Sequence, residues 1–148
     1  MHYPRYQFEA EDELFYFEFV SEGRNGRIKK IVEFSKMNVE NFYNLGFGDY
    51  DEQTGTISDK TVTNNGDAFK VLATVSAIAY AFTSQYPEAW IFATGSSDVR
   101  TRLYRMGISN NLAEINKDFH VYGLIENGNF EEFIVGEDYF WFLVKRRK

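Results

Sequence analysis

The residues best placed to do chemistry in this chain follow a short apolar run, Ala89-Trp90-Ile91-Phe92-Ala93-Thr94. After it come Gly95-Ser96-Ser97-Asp98, small and polar, and then Arg100, Arg102 and Arg105 on a predicted helix. A strand that feeds a helix through such a turn leaves free backbone N–H groups at the helix start. Those groups and the helix macrodipole attract anions. A second predicted helix start, Asn64-Asn65-Gly66-Asp67 with Lys70 one turn in, has the same character.

The candidate site is therefore an anion-binding one, made of Asn65, Gly66, Gly95, Ser96 and Arg100. It rests on a topology. Strands 56–63 and 89–94 are expected to be parallel neighbours, with the helix between them as the crossover. Both helix starts then lie at one end of the sheet, where open α/β arrangements place ligands. The competing reading is ordinary capping, because Asp67 and Asp98 can each cap a helix and offset a nearby cation. Around the helix axis Arg100 stands about a quarter turn from Val99, at the centre of the buried face. Arg102 borders that face and is expected to pair with a carboxylate, while Arg105 points outward.

Other chemistries are poorly supplied. The chain has two histidines, His2 and His120, and no cysteine, so thiolate metal sites and disulfides are excluded and a histidine-ligated metal lacks partners. No Gly-x-Ser-x-Gly elbow presents a serine to His120, which reads as a half-buried strand residue. Asp49, Asp51, Glu52 and Asp59 cluster in sequence, but their spacing is not that of a calcium loop, and an acidic, solvated turn is the expectation. No catalytic residue, metal or cofactor is expected.

The elements that would position these residues read as α+β. Leu14 to Val20 is a strand with Phe15, Phe17 and Phe19 on one face, and Asn25-Gly26 supplies the positive φ of a tight hairpin. The return strand runs from Ile28 to Phe34, with Lys30 breaking the pattern and implying a partly wet face. Further strands are expected at 41–47 and 56–63. Helical period then takes over: Phe69, Leu72, Val75, Ile78, Ala79 and Phe82 form one stripe over 67–86, closed by Pro87. The arginine helix should stop at Gly107. A short helix covers 111–117, and strands follow at 119–125, 130–135 and 139–144, with a second Asn-Gly turn at 127–128. The expected architecture is a single domain over 1–148: a mostly antiparallel β-sheet with N- and C-terminal hairpins and a central helix–strand–helix unit packed on it.

Fifteen phenylalanines and ten tyrosines among 148 residues favour a folded chain over a disordered one. The net charge is −6 although the chain ends Lys145-Arg146-Arg147-Lys148, and leaving out these four cations takes it to −10. So acidic a body disfavours nucleic acid as a partner. No apolar run reaches the ~20 residues of a membrane span, so no membrane is expected, and a cytoplasmic location fits. The last strand, Tyr139-Phe140-Trp141-Phe142-Leu143-Val144, is apolar on both alternating faces. Either two layers cover it within one chain or a partner covers one side, and a homodimer is the expectation.

The run from Asn44-Leu45-Gly46-Phe47-Gly48-Asp49 through Asn64-Asn65-Gly66-Asp67, Lys70 to Val75, Tyr86-Pro87 and Gly95-Ser96 to Arg100-Thr101-Arg102-Leu103-Tyr104 resembles a family of small bacterial proteins catalogued as a domain of unknown function. The resemblance supplies no activity. A fold-level analogy connects the strand–turn–helix unit with the acyl-coenzyme A-dependent acetyltransferases. Their phosphate turn has the form Arg/Gln-x-x-Gly-x-Gly/Ala, whereas Thr94 to Asp98 carries one glycine and an acidic residue. The leading expectation is a non-enzymatic interaction or ligand-binding domain, part of a bacterial regulatory or defence operon, with a protein or a small anion as partner. The alternative is a transferase or hydrolase acting on an anionic substrate at the paired helix starts.

Overall fold

Alternation builds the first half of the sheet, and the aromatic residues decide which side is buried. The structure, a computed structural model, describes residues 4–58, 65–94 and 98–147. An edge strand β1 (Phe8–Ala10) is followed by β2 (Tyr16–Gly23), β3 (Gly26–Lys36) and β4 (Phe42–Asp51), each antiparallel to the one before. The tight turn between β2 and β3 needs the positive φ of Gly26, +86°, which its lack of a Cβ permits. Phe17, Phe19, Val32, Phe34, Leu45 and Phe47 share one face and are buried.

That face is covered by α1 (Ala68–Gln85), whose Phe82 ring stacks on Phe34 at 3.9 Å. Burying such a side chain is worth about 1.5–3 kcal/mol. Phe69 departs from the expected stripe: it lies in the first turn of α1, beyond the cover of the sheet, and is 47 % exposed. Lys30 departs in the other direction. Its face is not wet, and its ammonium is buried against Asp49 of β4. Asp49 is accordingly a buried strand residue and not part of a solvated turn.

The chain then crosses over α1 to β6 (Trp90–Thr94), which is parallel to β4. The expected parallel neighbour, strand 56–63, is not the partner. Only β5 (Thr56–Ile57) forms there, folding back antiparallel on Tyr50 and Asp51, and residues 59–64 lie outside the described residues. The reason is the length of β4. Its first half pairs with β6 and its far end with β5, so β5 and β6 occupy different stretches of the same strand.

Next come α2 (Asp98–Asn110) and α3 (Leu112–Asp118). Gly107 does not end α2. It sits inside the helix, where a Cβ would lie 3.0 Å from Leu72 Cδ2, so the glycine serves the close approach of α2 to α1 and not a stop. The strands β7 (Phe119–Leu124) and β8 (Phe130–Glu132) form a hairpin, and β9 (Trp141–Arg146) inserts between β6 and β7, antiparallel to both. β8 and β9 depart from the expected bounds 130–135 and 139–144, and Tyr139 precedes β9. Its ring packs where Gly123 has no side chain, and a Cβ there would be 2.4 Å from the ring.

Among the described residues the sheet has nine strands in the order β1-β2-β3-β4-β6-β9-β7-β8, with β5 paired to β4 off that path. The fold is α+β and mostly antiparallel, with β4 and β6 as its parallel pair. The side chains that α1, α2 and α3 present all meet one face: Phe82 on Phe34, Tyr104 on Phe142 and Ile115 near Phe119.

Candidate functional site

At the start of α1, polar side chains are used to fasten the helix to the β2–β3 hairpin. Asn65 is 2 % exposed. Its Nδ2 donates to Gly26 O at 2.9 Å and to Ser21 Oγ at 3.2 Å, and its Oδ1 accepts from Asn25 N at 2.6 Å. Asp67 precedes the helix but makes no capping bond. Instead its Oδ2 accepts from Tyr6 OH at 2.5 Å and from Ser21 Oγ at 2.6 Å. Burial and this bond to Asp67 push the Tyr6 phenol above its ordinary pKa. Gly66, with φ +79°, lies under Arg24, whose Nε would be 3.5 Å from a Cβ at that position.

Of the five residues read as an anion site, Asn65 and Gly66 are thus brought together with Arg24 and the hairpin. Gly95, Ser96 and the side chain of Arg100 lie outside the described residues, and Arg100 is placed only as part of the first turn of α2. The other arginines exchange their expected roles. Arg105 holds a carboxylate, Asp138 Oδ1, at 2.7 Å, while Arg102 is exposed. No sequence signal pointed to Arg24, because the hairpin turn it occupies meets residue 65 only through tertiary structure.

Two further features emerge from the sheet itself. The first is its face opposite the helices. In the N-terminal half that face carries charged side chains around a fully buried Ile31. Lys29 Nζ is 2.9 Å from Glu18 and also lies 4.4 Å from the centre of the Tyr50 ring. The C-terminal half is different. Phe42 of β4, Trp90 and Phe92 of β6, Trp141 and Leu143 of β9, Tyr122 of β7 and Phe130 of β8 all point to this side. Their rings contact one another across strands: Phe42 with Trp90 at 5.6 Å, Phe92 with Trp141 at 5.0 Å, Trp90 with Tyr122 at 6.3 Å. His120 lies beside them as a half-buried strand residue, 6.4 Å from the Tyr122 ring. Trp141 is 43 % and Phe130 38 % exposed, and among the described residues no helix packs over them.

The second feature is a cavity on the helix side. Leu72, Val75, Ser76 and Ala79 of α1, Tyr104, Gly107 and Ile108 of α2, and Ile115 of α3 face Leu45, Ile91, Ala93, Phe119, Val121, Phe142 and Val144 of the sheet around about 130 Å³ of space. Its walls are almost wholly apolar. Small residues at Ser76, Ala79, Ala93 and Gly107 leave it open.

Among the described residues no group of three or more acidic or histidine side chains is placed to hold a metal, and no helix is long and apolar enough to cross a membrane. Fold and surfaces together define an α+β protein with helices on one face of its sheet, an apolar cavity beneath them and, on the other face, an aromatic patch over which no described helix packs. Over residues 2–147 the chain matches a family of unknown function, DUF6934, and it belongs to that family. Comparison with curated proteins gave no match, and comparison with solved structures gave none.

Proposed function

We propose that this chain is a non-enzymatic interaction domain that docks through the aromatic half of its open sheet face, and that the occupant is a second copy of itself. The observation that carries this reading is the contrast across one face. The β2–β3 half is charged, whereas the β6–β9–β7 half presents contiguous rings with Trp141 and Phe130 substantially exposed. Scattered exposed apolar residues need no explanation, but a contiguous patch of this kind marks an interaction surface.

The dimensions suit a modest homodimer. Five strands at ~4.8 Å spacing and three rows of side chains at ~6.8 Å project roughly 400–500 Å², and the rings add relief to that plane. That is below the roughly 600–1,000 Å² that stable interfaces bury on each partner, the size of a weak, reversible contact. Aromatic sheet faces also bind single-stranded nucleic acid, but they do so beside a cationic groove. Here Lys145, the ammonium nearest Trp90, is engaged by Pro87 O at 3.2 Å and Glu88 at 3.8 Å, and the chain carries a net charge of −6.

Light scattering on size-exclusion-purified protein at about 50 μM tests this. The expected mass is twice that of the 17.3 kDa chain. Trp141→Glu and Phe130→Glu should each return the single-chain mass with unchanged circular dichroism. A wild-type mass of one chain, or variants that stay at twice that mass, would overturn the reading.

A further inference from the structure

We propose that the cavity between the three helices and the sheet is a binding site for a small uncharged aromatic molecule, one ring or a fused pair. Three properties of the cavity lead to that class of ligand. Its volume, about 130 Å³, is close to the roughly 150 Å³ of an apolar cavity that takes up benzene. No charged residue lines it, and a charge brought there would lose its hydration with no counterion, so anions and cations are excluded. Its walls include the rings of Tyr104, Phe119 and Phe142, and Tyr104 already meets Phe142 edge-on at an interplanar angle of 80°. A flat ring between them makes the offset or edge-to-face contacts that aromatic groups favour, which an aliphatic chain cannot.

The entrance follows from exposure. Ser76, Ala79, Ile108 and Ile115 are half-exposed while Leu72, Ala93 and Phe142 are buried, so the mouth lies where α1 faces α2 and α3, and the sheet forms the floor. Beside that mouth, Tyr80 OH of α1 donates to Asp118 Oδ2 at the end of α3 at 2.5 Å, and the Arg146 guanidinium packs 5.0 Å from the Tyr80 ring. This contact ties α1 to the end of α3 beside the mouth. The site lies on the opposite face of the sheet from the proposed dimer surface, so the two ideas fail separately.

Indole and benzene are the probes, with cyclohexane as the aliphatic control. Saturable binding of indole should raise the melting temperature by about 5–10 °C at a hundredfold excess over its Kd. In methyl-labelled wild-type protein, the resonances of Leu72, Val75, Val121 and Val144 should shift while those of Val20 and Val39 stay fixed. Ala79→Leu, which puts a larger side chain at the mouth, should abolish the response. If that variant fails to fold, Ser76→Leu provides the same test from the preceding turn. The proposal is overturned if neither indole nor benzene gives a saturable response in the wild-type protein, if the shifts fall outside the cavity, or if cyclohexane binds as well as benzene.

Discussion

Removing one partner of the buried Lys30–Asp49 pair should destabilise the fold more than removing both. Lys30 is 1 % exposed and lies on the helix-covered face of β3, and Asp49 is the residue directly across from it on β4. Asp49→Ala takes from the buried ammonium the carboxylate directly opposite it, and Lys30→Met takes the ammonium from that carboxylate; breaking a buried pair from one side costs about 3–5 kcal/mol. For a chain of this size each kcal/mol moves the melting temperature by about 2–4 °C, so each single variant should melt roughly 6–20 °C lower. The double variant Lys30→Met/Asp49→Ala carries no buried charge at this position, and it should melt above either single variant. Urea titrations of the wild type and the three variants form a double-mutant cycle, with an expected coupling of about 2 kcal/mol or more. Additive losses, with the double variant the least stable of the four, would refute the reasoning. The strands would then be held there by something other than the pair.

Asn65→Ala should cost about 2–3 kcal/mol by deleting the amide that joins Ser21, Asn25 and Gly26 to the start of α1. Hydrogen exchange at Arg24 to Gly26 should accelerate in that variant, and unchanged exchange there would contradict the bracing role. Alkaline stability should follow two tyrosines. Burial, reinforced by the bonds to Glu131 and Asp118, pushes Tyr139 and Tyr80 up to about 12. Because the unfolded phenols titrate near ~10, these groups stabilise the fold fully below that pH, and the contribution is lost as pH rises from there through 12. Phenolate absorbance should lag in the folded protein, and urea midpoints should fall between pH 9 and 11.5. Tyrosines that all titrate near 10 while circular dichroism remains native would refute this.

Local signals were legible in the chain wherever local physics decides the outcome. The Asn25-Gly26 and Asn127-Gly128 turns need positive φ, and both glycines have it. The stripe from Leu72 to Phe82 has only one way to bury itself, and α1 follows it. Misreadings arose where a residue's meaning is set by a distant partner. Lys30 looks like an interruption of alternation until Asp49, nineteen positions on, is placed opposite it. Gly107 has the look of a helix stop until Leu72 is set against it. The parallel partner of β6 was misassigned because β4 is long enough to serve β5 and β6 on separate stretches, and spacing alone does not reveal the length of a strand's pairing. The anion site was derived from that topology, and its α1 half proves to be engaged with the hairpin. Of the aromatic face only the last strand, apolar on both alternating sides, was legible, and the cavity was not, since side chains from separate elements meet only in three dimensions.

The place of β9 has a consequence for how the chain comes to be folded. The last of the described strands lies inside the sheet, between β6 and β7, and among the described residues no other strand joins β6 to the β7–β8 hairpin. During synthesis the β1–β4 meander can form as soon as it emerges, but β6 waits with one edge unpaired for some fifty residues of further translation. Until residue 146 is available the two parts of the sheet remain separate, and Ile91, Val121 and the wall of the cavity that Phe142 and Val144 complete stay open to water. Closure is thus a late, long-range event of the kind that slows folding and exposes an unpaired strand in the interval. A ribosome stalled before β9 would carry a nascent chain with a free sheet edge and an unfinished core.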